Sequence, residues 1–213
     1  MYKINIENIG KVFRILFRNK TERKRLKNKD FSIMSNTCIG GVICHDMGQR
    51  FLSPTINLYI KPHQFVKLME NLPYYFSLPM KKNEFMTEHL GYPVGTLGDI
   101  TIFFKHYASF EQAQQKWEER KLRINYENLY VMMTDRWCCS KSDLERFEKL
   151  PFKNKVCFTA KQYPDYPSTR RVQKNNDEVC VGVITNIVNI FGKRLYQYAE
   201  DFDYIEFLNK KNN

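Results

Sequence analysis

Hydrophobic positions along the chain alternate between short apolar runs and stretches with helical spacing. The short runs predict buried strands at residues 31–34, 100–104, 129–133, 155–159 and 179–184. Apolar positions at helical spacing predict helices over residues 39–47, 62–69, 110–124, 142–150 and 186–198. Strands that alternate with helices predict an α/β fold of three layers. We expect a mainly parallel, Rossmann-like sheet with helices on both faces.

Three segments between these elements carry weaker patterns. Residues 51–60 look extended, with Pro54 marking a turn or an edge position. Residues 72–86 are aromatic and interrupted by proline, and their pattern assigns no element. Residues 91–99 combine Gly, Pro and Asp, which predicts a continuous turn.

The N-terminal segment, residues 1–30, differs in charge from the single domain that we expect over residues 31–213. Nine Lys and Arg residues lie between Lys11 and Lys29, against the single acid Glu22, so this stretch holds most of the net charge of +11. Apolar residues share part of one helical face there, namely Ile9, Val12, Phe13, Leu16 and Phe17. Such a basic amphipathic helix either lies on an anionic membrane surface through residues 11–29 or caps the domain as a solvated helix.

The composition fits a globular protein, since 43% of the 213 residues are hydrophobic. The six cysteines form no CxxC pair, and the histidines have no zinc-binding spacing, so we expect reduced thiols and no metal site. No P-loop and no GxGxxG motif occurs, and the sequence implies no particular cofactor. No run approaches the roughly 20 apolar residues of a membrane span, so we expect a cytoplasmic protein, peripheral at the inner membrane face.

Polar clusters fall at the carboxyl ends of four predicted strands. These clusters are Ser35–Cys38, His106–Tyr107, Thr134–Arg136 and Thr159. In open α/β sheets ligands bind outside the carboxyl ends of the strands. The sequence therefore predicts a binding or catalytic site at this edge.

The first of these clusters carries the strongest local signal. Ser35 and Asn36 are good helix N-cap types, and Gly40 and Gly41 would expose backbone N–H groups at the positive end of the following helix. That arrangement suits a phosphate or carboxylate and would lower the pKa of Cys38. The alternative is a plain N-cap whose glycines admit a close neighbour.

Cys38 is the candidate nucleophile, and His106 is the preferred base for it. His45 lies seven residues further along the same predicted helix, about 10.5 Å along its axis, which is too far for a direct hydrogen bond with Cys38. Asp135 completes the catalytic candidates, and it could instead bind ribose, a metal or nothing. Ligand-binding candidates are Ser35, Asn36, Gly40, Gly41, His45, Tyr107, Arg120 and Arg136. The competing interpretation of His106 is a histidine that packs at a strand end, and that of the helix arginines is a solvated helix face.

Several segments occur in a characteristic order along the chain, namely residues 31–41, His45-Asp46, 51–58, Tyr92–Gly95 with Asp99-Ile100, His106-Tyr107 through Arg123, Met133–Arg136, and Leu150-Pro151 with Lys155-Val156. Together they resemble one bacterial family, the exopolysaccharide biosynthesis group known as domain of unknown function 1919. The resemblance runs from Phe31 to the last helix and leaves the basic N-terminal segment outside the matching core. The family brings no established catalytic residues.

The resemblance implies a glycosyl or acyl transferase in exopolysaccharide or capsule production. It would act at the cytoplasmic membrane face on an anionic, nucleotide-linked or lipid-linked glycan precursor. The alternative is a non-catalytic accessory protein that binds a nucleotide-sugar or a partner glycan enzyme. Nucleic-acid binding through the basic segment ranks last, because acids are interspersed through the rest of the chain.

Overall fold

The computed structural model describes residues 6–137, 139–174, 179–187 and 189–210. The strands are β1 (Ser32–Ser35), β2 (Tyr59–Ile60), β3 (Met80–Lys82), β4 (Val94–Leu97), β5 (Ile100–Phe103), β6 (Leu129–Thr134), β7 (Lys155–Thr159) and β8 (Thr169–Arg171). The helices are α1 (Ile6–Phe13), α2 (Asn19–Arg25), α3 (Ile39–Met47), α4 (Pro62–Glu70), α5 (Leu72–Ser77), α6 (Glu84–Leu90), α7 (Phe110–Lys121), α8 (Lys141–Lys149) and α9 (Tyr204–Asn209). A π turn (Arg14–Arg18) joins α1 to α2, and a 3-10 turn covers Leu195–Tyr198.

Two sheets of four strands form the framework. The first is wholly parallel, in the order β1-β6-β7-β8, and the second is antiparallel, in the order β2-β5-β4-β3. The predicted α/β fold with a parallel sheet is therefore confirmed. The antiparallel sheet is an addition that the periodicity did not predict.

Side chains that alternate along β1 and β6 enter two separate cores. Met34 and Met133 face a core shared with α4, α7, α8 and the antiparallel sheet. Ile33 and Met132 face a core shared with α3 and the C-terminal segment. Because successive residues of a strand point to opposite faces, a sheet covered on both sides needs apolar residues throughout, and all six residues of β6 are buried.

The prediction of a continuous turn over residues 91–99 is wrong, because Val94–Leu97 form β4 and pair with β3 and β5. Glycine at position 95 serves packing, since a Cβ there would lie 3.1 Å from the rings of Phe104 and Phe110. Only the end of the segment is a turn, where Gly98 has a φ of +60°. The proline and glycine residues of this segment therefore led to the prediction of a turn where a short strand forms.

The C-terminal predictions also fail within the described residues. No regular strand forms over 179–184, and only the 3-10 turn forms within the helix predicted over 186–198. Val181 instead donates its N–H to the Asp135 carboxylate, and Ile184 accepts from the N–H of Tyr196. The apolar residues are buried as the pattern indicated, but side chains and irregular backbone satisfy their hydrogen bonds. The fourth parallel strand is β8, which the sequence did not reveal.

The N-terminal helix, residues 6–25, combines α1, the π turn and α2. Gly10, Arg14, Asn19, Glu22 and Leu26 face the protein. The π turn makes this possible, because the Asn19 N–H donates to the carbonyl of Arg14, five residues earlier, and keeps both side chains on one face. No helix in the described ranges is long and apolar enough to cross a membrane.

A buried ionic network fixes this helix. Arg14 is 1% exposed, and its guanidinium donates to Asp46 at 2.8 Å, to Glu22 at 3.1 Å and to the carbonyl of Gly192 at 2.9 Å. Arg194 donates to the same Asp46 carboxylate at 2.8 Å. Burial opposes the ionisation of Asp46, but the hydrogen bond from Arg194 and the charge of Arg14 outweigh it and hold its pKa below the usual value.

Replacing Arg14 tests this network. Arg14→Met leaves the Asp46 and Glu22 carboxylates buried without their central partner, and we expect it to cost about 3–5 kcal/mol of the free energy of unfolding. Urea denaturation measures the change, and Lys24→Met, on the exposed side of the same helix, should stay within about 0.5 kcal/mol of the wild type. Equal stability of the two variants would contradict a structural role for the network.

Candidate functional site

Asn36 lies directly after β1 and joins the two sheets. Its side-chain carbonyl accepts from the N–H of Thr134 at 2.9 Å, and its amide donates to the Thr134 carbonyl at 3.2 Å. Its backbone carbonyl accepts from the N–H of Ile60 in β2 at 2.9 Å. Asn36 is fully buried, so these bonds account for its position, and its role as a ligand-binding residue stays a prediction.

Ser35 and the two glycines shape the start of α3. The hydroxyl of Ser35 donates to the carbonyl of Thr37 at 2.8 Å and accepts from the N–H of Gly40 at 3.3 Å. A Cβ on Gly40 would lie 2.8 Å from that hydroxyl, and one on Gly41 would lie 3.2 Å from the side chain of Asn57. The glycines therefore admit close neighbours, which is the alternative interpretation of this turn, and one of the two N–H groups is already bonded.

Cys38 occupies the N-cap position of α3 without forming a side-chain cap. Its thiol lies 3.9 Å from the carbonyl oxygen of Leu58. Burial raises the pKa of Cys38 above the usual value, and the nearby charges of Arg136 and Lys105 only partly offset this effect. The prediction that the helix start lowers this pKa is therefore wrong, and the thiol is protonated at neutral pH.

Asp135 follows β6 and is buried. One carboxylate oxygen accepts from the N–H of Ala160 at 2.8 Å, and the other accepts from the N–H of Val181 at 2.7 Å. Asp135 thus ties the end of β7 to the C-terminal segment. A general base at this position would have to give up bonds that hold the loops together.

Tyr107 and Arg120 form a second part of the site. The hydroxyl of Tyr107 donates to the carbonyl of Ile56 at 2.8 Å and accepts from the guanidinium of Arg120 at 2.7 Å. Burial raises the pKa of Tyr107 and Arg120 partly offsets it, while Cys38 is close enough to contribute. The structure therefore brings Cys38, Tyr107 and Arg120 into one neighbourhood. The strand-end reasoning expected Tyr107 at the edge of the parallel sheet, but β5, the strand before it, belongs to the antiparallel sheet.

Two aromatic residues that the sequence did not single out complete this edge. The guanidinium of Arg136 lies 3.8 Å from the ring centroid of Trp137, and that ring lies 4.0 Å from the ring of Tyr59. Trp137 is 43% exposed and has a φ of +61°, a conformation that is unusual for a bulky residue and concentrates at functional sites. Trp137 follows the end of a strand, where no periodic pattern applies, and its neighbour Cys138 lies outside the described residues.

The two candidate histidines occupy different places. His45 lies in the last turn of α3, at the far end of that helix from Cys38, and its side chain is 79% exposed beside Asp46. The structure therefore separates His45 from the other candidates. His106 is exposed in the turn that precedes Tyr107, and no hydrogen bond links it to Cys38 in the described part of the chain. Its role as a base stays a prediction.

The arrangement favours an anionic ligand. Lys105 and Arg136 supply positive charge near Cys38, and Arg120 supplies it beside Tyr107, while the Asp135 carboxylate is occupied by backbone N–H groups. Four of the cysteines, Cys38, Cys44, Cys139 and Cys157, are thiols. Among the described residues, no group of three or more His, Cys, Asp or Glu side chains could hold a metal ion.

Comparison with known proteins identifies the family of the chain. Residues 9–209 match the family described as Domain of unknown function (DUF1919). The chain belongs to this family. The match begins at residue 9, so the DUF1919 domain includes most of the N-terminal helix, which we had expected to lie outside the matching core. An uncharacterized protein of Haemophilus influenzae is 37% identical over 193 residues, which cover 91% of each chain.

The protonation state of Cys38 in this DUF1919 chain can be measured directly. Because thiolates and not thiols are alkylated, we expect the reaction of Cys38 with iodoacetamide to reach half its maximal rate at a higher pH than a free cysteine peptide. Arg136→Gln should move this midpoint further upward, since it removes a charge that favours the thiolate. Mass spectrometry of the Cys38 peptide over a pH series measures both midpoints. Arg146→Gln on α8 is the control, and a midpoint below that of the free peptide would contradict the assignment.

Proposed function

We propose that the protein binds a phosphorylated glycan precursor, such as a nucleotide-sugar, at the edge where β1 and β6 end. The observation that carries this proposal is the positive charge of Lys105 and Arg136 near Cys38 and of Arg120 on the neighbouring Tyr107, with the rings of Trp137 and Tyr59 beside Arg136. The resemblance to exopolysaccharide proteins supplies the biological setting, which is transfer of a glycosyl or acyl group in exopolysaccharide or capsule production.

The charged side chains would bind the phosphate groups of the ligand, and the aromatic side chain would bind its nucleobase or sugar ring. Arginine matches the geometry of phosphate oxygens with paired N–H donors, so Arg120 and Arg136 are suited to hold the phosphate groups. Arg120 already donates to Tyr107, which orients its guanidinium. The exposed ring of Trp137 offers a flat apolar surface on which a nucleobase or a sugar ring can stack.

A glycosyl transfer needs a proton acceptor and a stabilised leaving group. The acceptor hydroxyl attacks the anomeric carbon and gives up its proton, while the nucleotide phosphate departs with the bonding electrons. His106 is the accessible residue suited to accept that proton, and the arginines neutralise the departing phosphate. Cys38, with its raised pKa, is better suited to donate a hydrogen bond than to act as a nucleophile.

A non-catalytic accessory role is the second candidate. It is favoured by the buried Asp135, whose two oxygens accept backbone N–H groups, and by the protonated thiol of Cys38. Two of the three catalytic candidates would then serve structure, and the edge would bind its ligand without transforming it.

Calorimetry tests the proposed ligand. Uridine diphosphate glucose and guanosine diphosphate mannose are the probes, and Arg136→Gln should weaken binding of the better one about 10- to 100-fold, because a charge-assisted phosphate contact is lost. Trp137→Ser should weaken it as well, through the loss of the stacking surface. Arg146→Gln, which removes a surface ion pair with Glu70, should bind like the wild type. Equal affinity of the Arg136 variant and the wild type would refute the site.

Polymer production by cells that carry only a variant gene separates the two candidates. For a transferase, His106→Ala should reduce polymer by about 100-fold or more while the purified protein keeps its fold and its nucleotide-sugar affinity. Cys38→Ala should reduce polymer only a few-fold. Wild-type polymer in the His106 variant, with ligand affinity retained, would favour the accessory role.

A further inference from the structure

The N-terminal helix places its apolar side chains on the outside of the protein. Val12 is 54% exposed and Phe17 is 57% exposed, whereas Arg14 and Glu22 on the same helix are buried. This polarity is opposite to that of an ordinary surface helix, whose apolar stripe faces the core. The exposed residues therefore contribute little to folding and call for another explanation.

The exposed side chains form one continuous surface with a second segment of the chain. Phe13 contacts Phe17 with ring centroids 5.1 Å apart, and it contacts Phe191 with centroids 5.7 Å apart. We call this surface the apolar patch and define it as Ile9, Val12, Leu16, Phe17, Ile190 and Phe191. Along the helix, the patch extends over eight residue steps, or about 12 Å.

Close packing fixes the orientation of the helix. A Cβ on Gly10 would lie 2.4 Å from the carbonyl oxygen of Asn189, so the helix backbone rests directly on the segment that carries the rest of the patch. Gly192 has a φ of +66°, and a Cβ there would lie 2.6 Å from the Cβ of Arg14. Rolling the helix to bury its apolar side would break these contacts and expose the Arg14 network. The patch is therefore a permanent feature of the surface.

A basic cluster lies at the edge of the patch. The ammonium groups of Lys193 and Lys174 lie 3.9 Å and 4.3 Å from the ring centroid of Tyr198. Burial lowers the pKa of Lys193, and the nearby charges of Arg18 and Lys174 lower it further. Lys193 and Arg18 directly follow Phe191-Gly192 and Phe17 in the chain. Arg18 also pairs with Glu22 at 2.9 Å, so Lys174 and Lys193 supply most of the positive charge at this edge. Cations beside an apolar surface match the phosphate groups of lipids.

We propose that the apolar patch and the cluster of Arg18, Lys174 and Lys193 dock the protein on an anionic lipid bilayer. The N-terminal helix lies in the plane of the membrane surface, with Phe17 and Phe191 among the acyl chains. The basic cluster lies at the level of the phosphate groups, where each cation adds to the attraction. This docking does not depend on the proposed glycan-binding site.

Charge complementarity favours a bilayer over the other occupants. A second copy placed patch to patch would bring the Lys174 and Lys193 ammonium groups of both copies together, and the whole chain carries a net charge of +11. Nucleic acid would use the cations but would leave the apolar side chains without a function. An anionic lipid surface accommodates both parts.

Vesicle flotation with the full chain tests the proposal. Wild-type protein should float with vesicles of phosphatidylcholine mixed with phosphatidylglycerol and remain largely unbound with pure phosphatidylcholine. Phe17→Ser should weaken binding to the mixed vesicles about tenfold or more, because a buried aromatic contact with the acyl chains is lost. Phe85→Ser, which removes an equally large and 79% exposed ring from α6, is the matched control and should bind like the wild type.

The charge contribution has its own pair of variants. Replacing both Lys174 and Lys193 with Gln should weaken binding to the mixed vesicles by about 25-fold, at roughly fivefold for each cation. The double control, Lys61→Gln with Lys81→Gln, removes two exposed lysines elsewhere and should have little effect. Phe17→Ser and the double lysine variant should both unfold in urea at the wild-type midpoint, since none of these side chains takes part in the hydrogen bonds of Arg14.

Three outcomes would overturn the proposal. The first is a wild-type protein that floats with neither kind of vesicle. The second is equal flotation of the Phe17 variant and the wild type. The third is a wild type that binds no vesicles and instead uses the surface for another partner. Such a protein would sediment as a dimer that Phe17→Ser dissociates, or would bind duplex DNA with an affinity that Phe17→Ser leaves unchanged.

Discussion

The architecture depends on one side-chain amide. Asn36 stands where β1 ends, and its side chain replaces the peptide that would have continued the ladder to β6. Its backbone carbonyl is thereby free to accept from Ile60 and to hold the antiparallel sheet against the parallel one. A carboxylate could not replace this amide, because a carboxylate has no donor and would repel the carbonyl of Thr134. Cys38 and Tyr107 lie close to each other because this junction aligns the two sheets.

Burial of charge determines a second feature of the molecule, which is the orientation of the N-terminal helix. This helix buries Arg14 and Glu22 and exposes its apolar side chains. Replacing a buried ionic cluster with well-packed apolar residues is often neutral or stabilises a protein by about 1–4 kcal/mol. Stability alone therefore gives no reason to bury Arg14, Glu22 and Asp46 while Phe17 and Phe191 remain outside. The network instead fixes which face of the helix points outward, and this orientation is the property that a docking surface requires.

The sequence predicted those features that depend on local apolar patterns. The strands β6 and β7 and the helix α4 follow from uninterrupted or periodic apolar residues. Ser35 and Asn36 lie at the end of β1 as expected, whereas Tyr107 follows β5, which belongs to the antiparallel sheet that the pattern did not predict. Prediction from the sequence failed where the hydrogen-bond partner is distant, as for Val181, which bonds to a carboxylate 46 residues away.

The same limit applies to the chemistry of individual residues. The pKa of Cys38 is governed by burial that no local pattern encodes, and its helix position alone predicted the wrong direction. The N-terminal helix has an amphipathic pattern, but the pattern does not show which of the two faces packs against the protein. That choice depends on the distant partners of Arg14, such as Asp46. Trp137 stands alone after a strand, so only its contacts with Arg136 and Tyr59 identify it.

The segment from Val181 to Gly192 links the two surfaces of the molecule, because its first residue bonds to Asp135 and its last accepts from Arg14. Removing the Asp135 carboxylate would release the start of a segment whose end supports Phe191 and the N-terminal helix. Loss of function in an Asp135 variant is thus expected on structural grounds alone. Such a loss would not identify a catalytic acid or base. His106 is exposed and supports no other element through a hydrogen bond in the described residues, so loss of function at His106 would identify one.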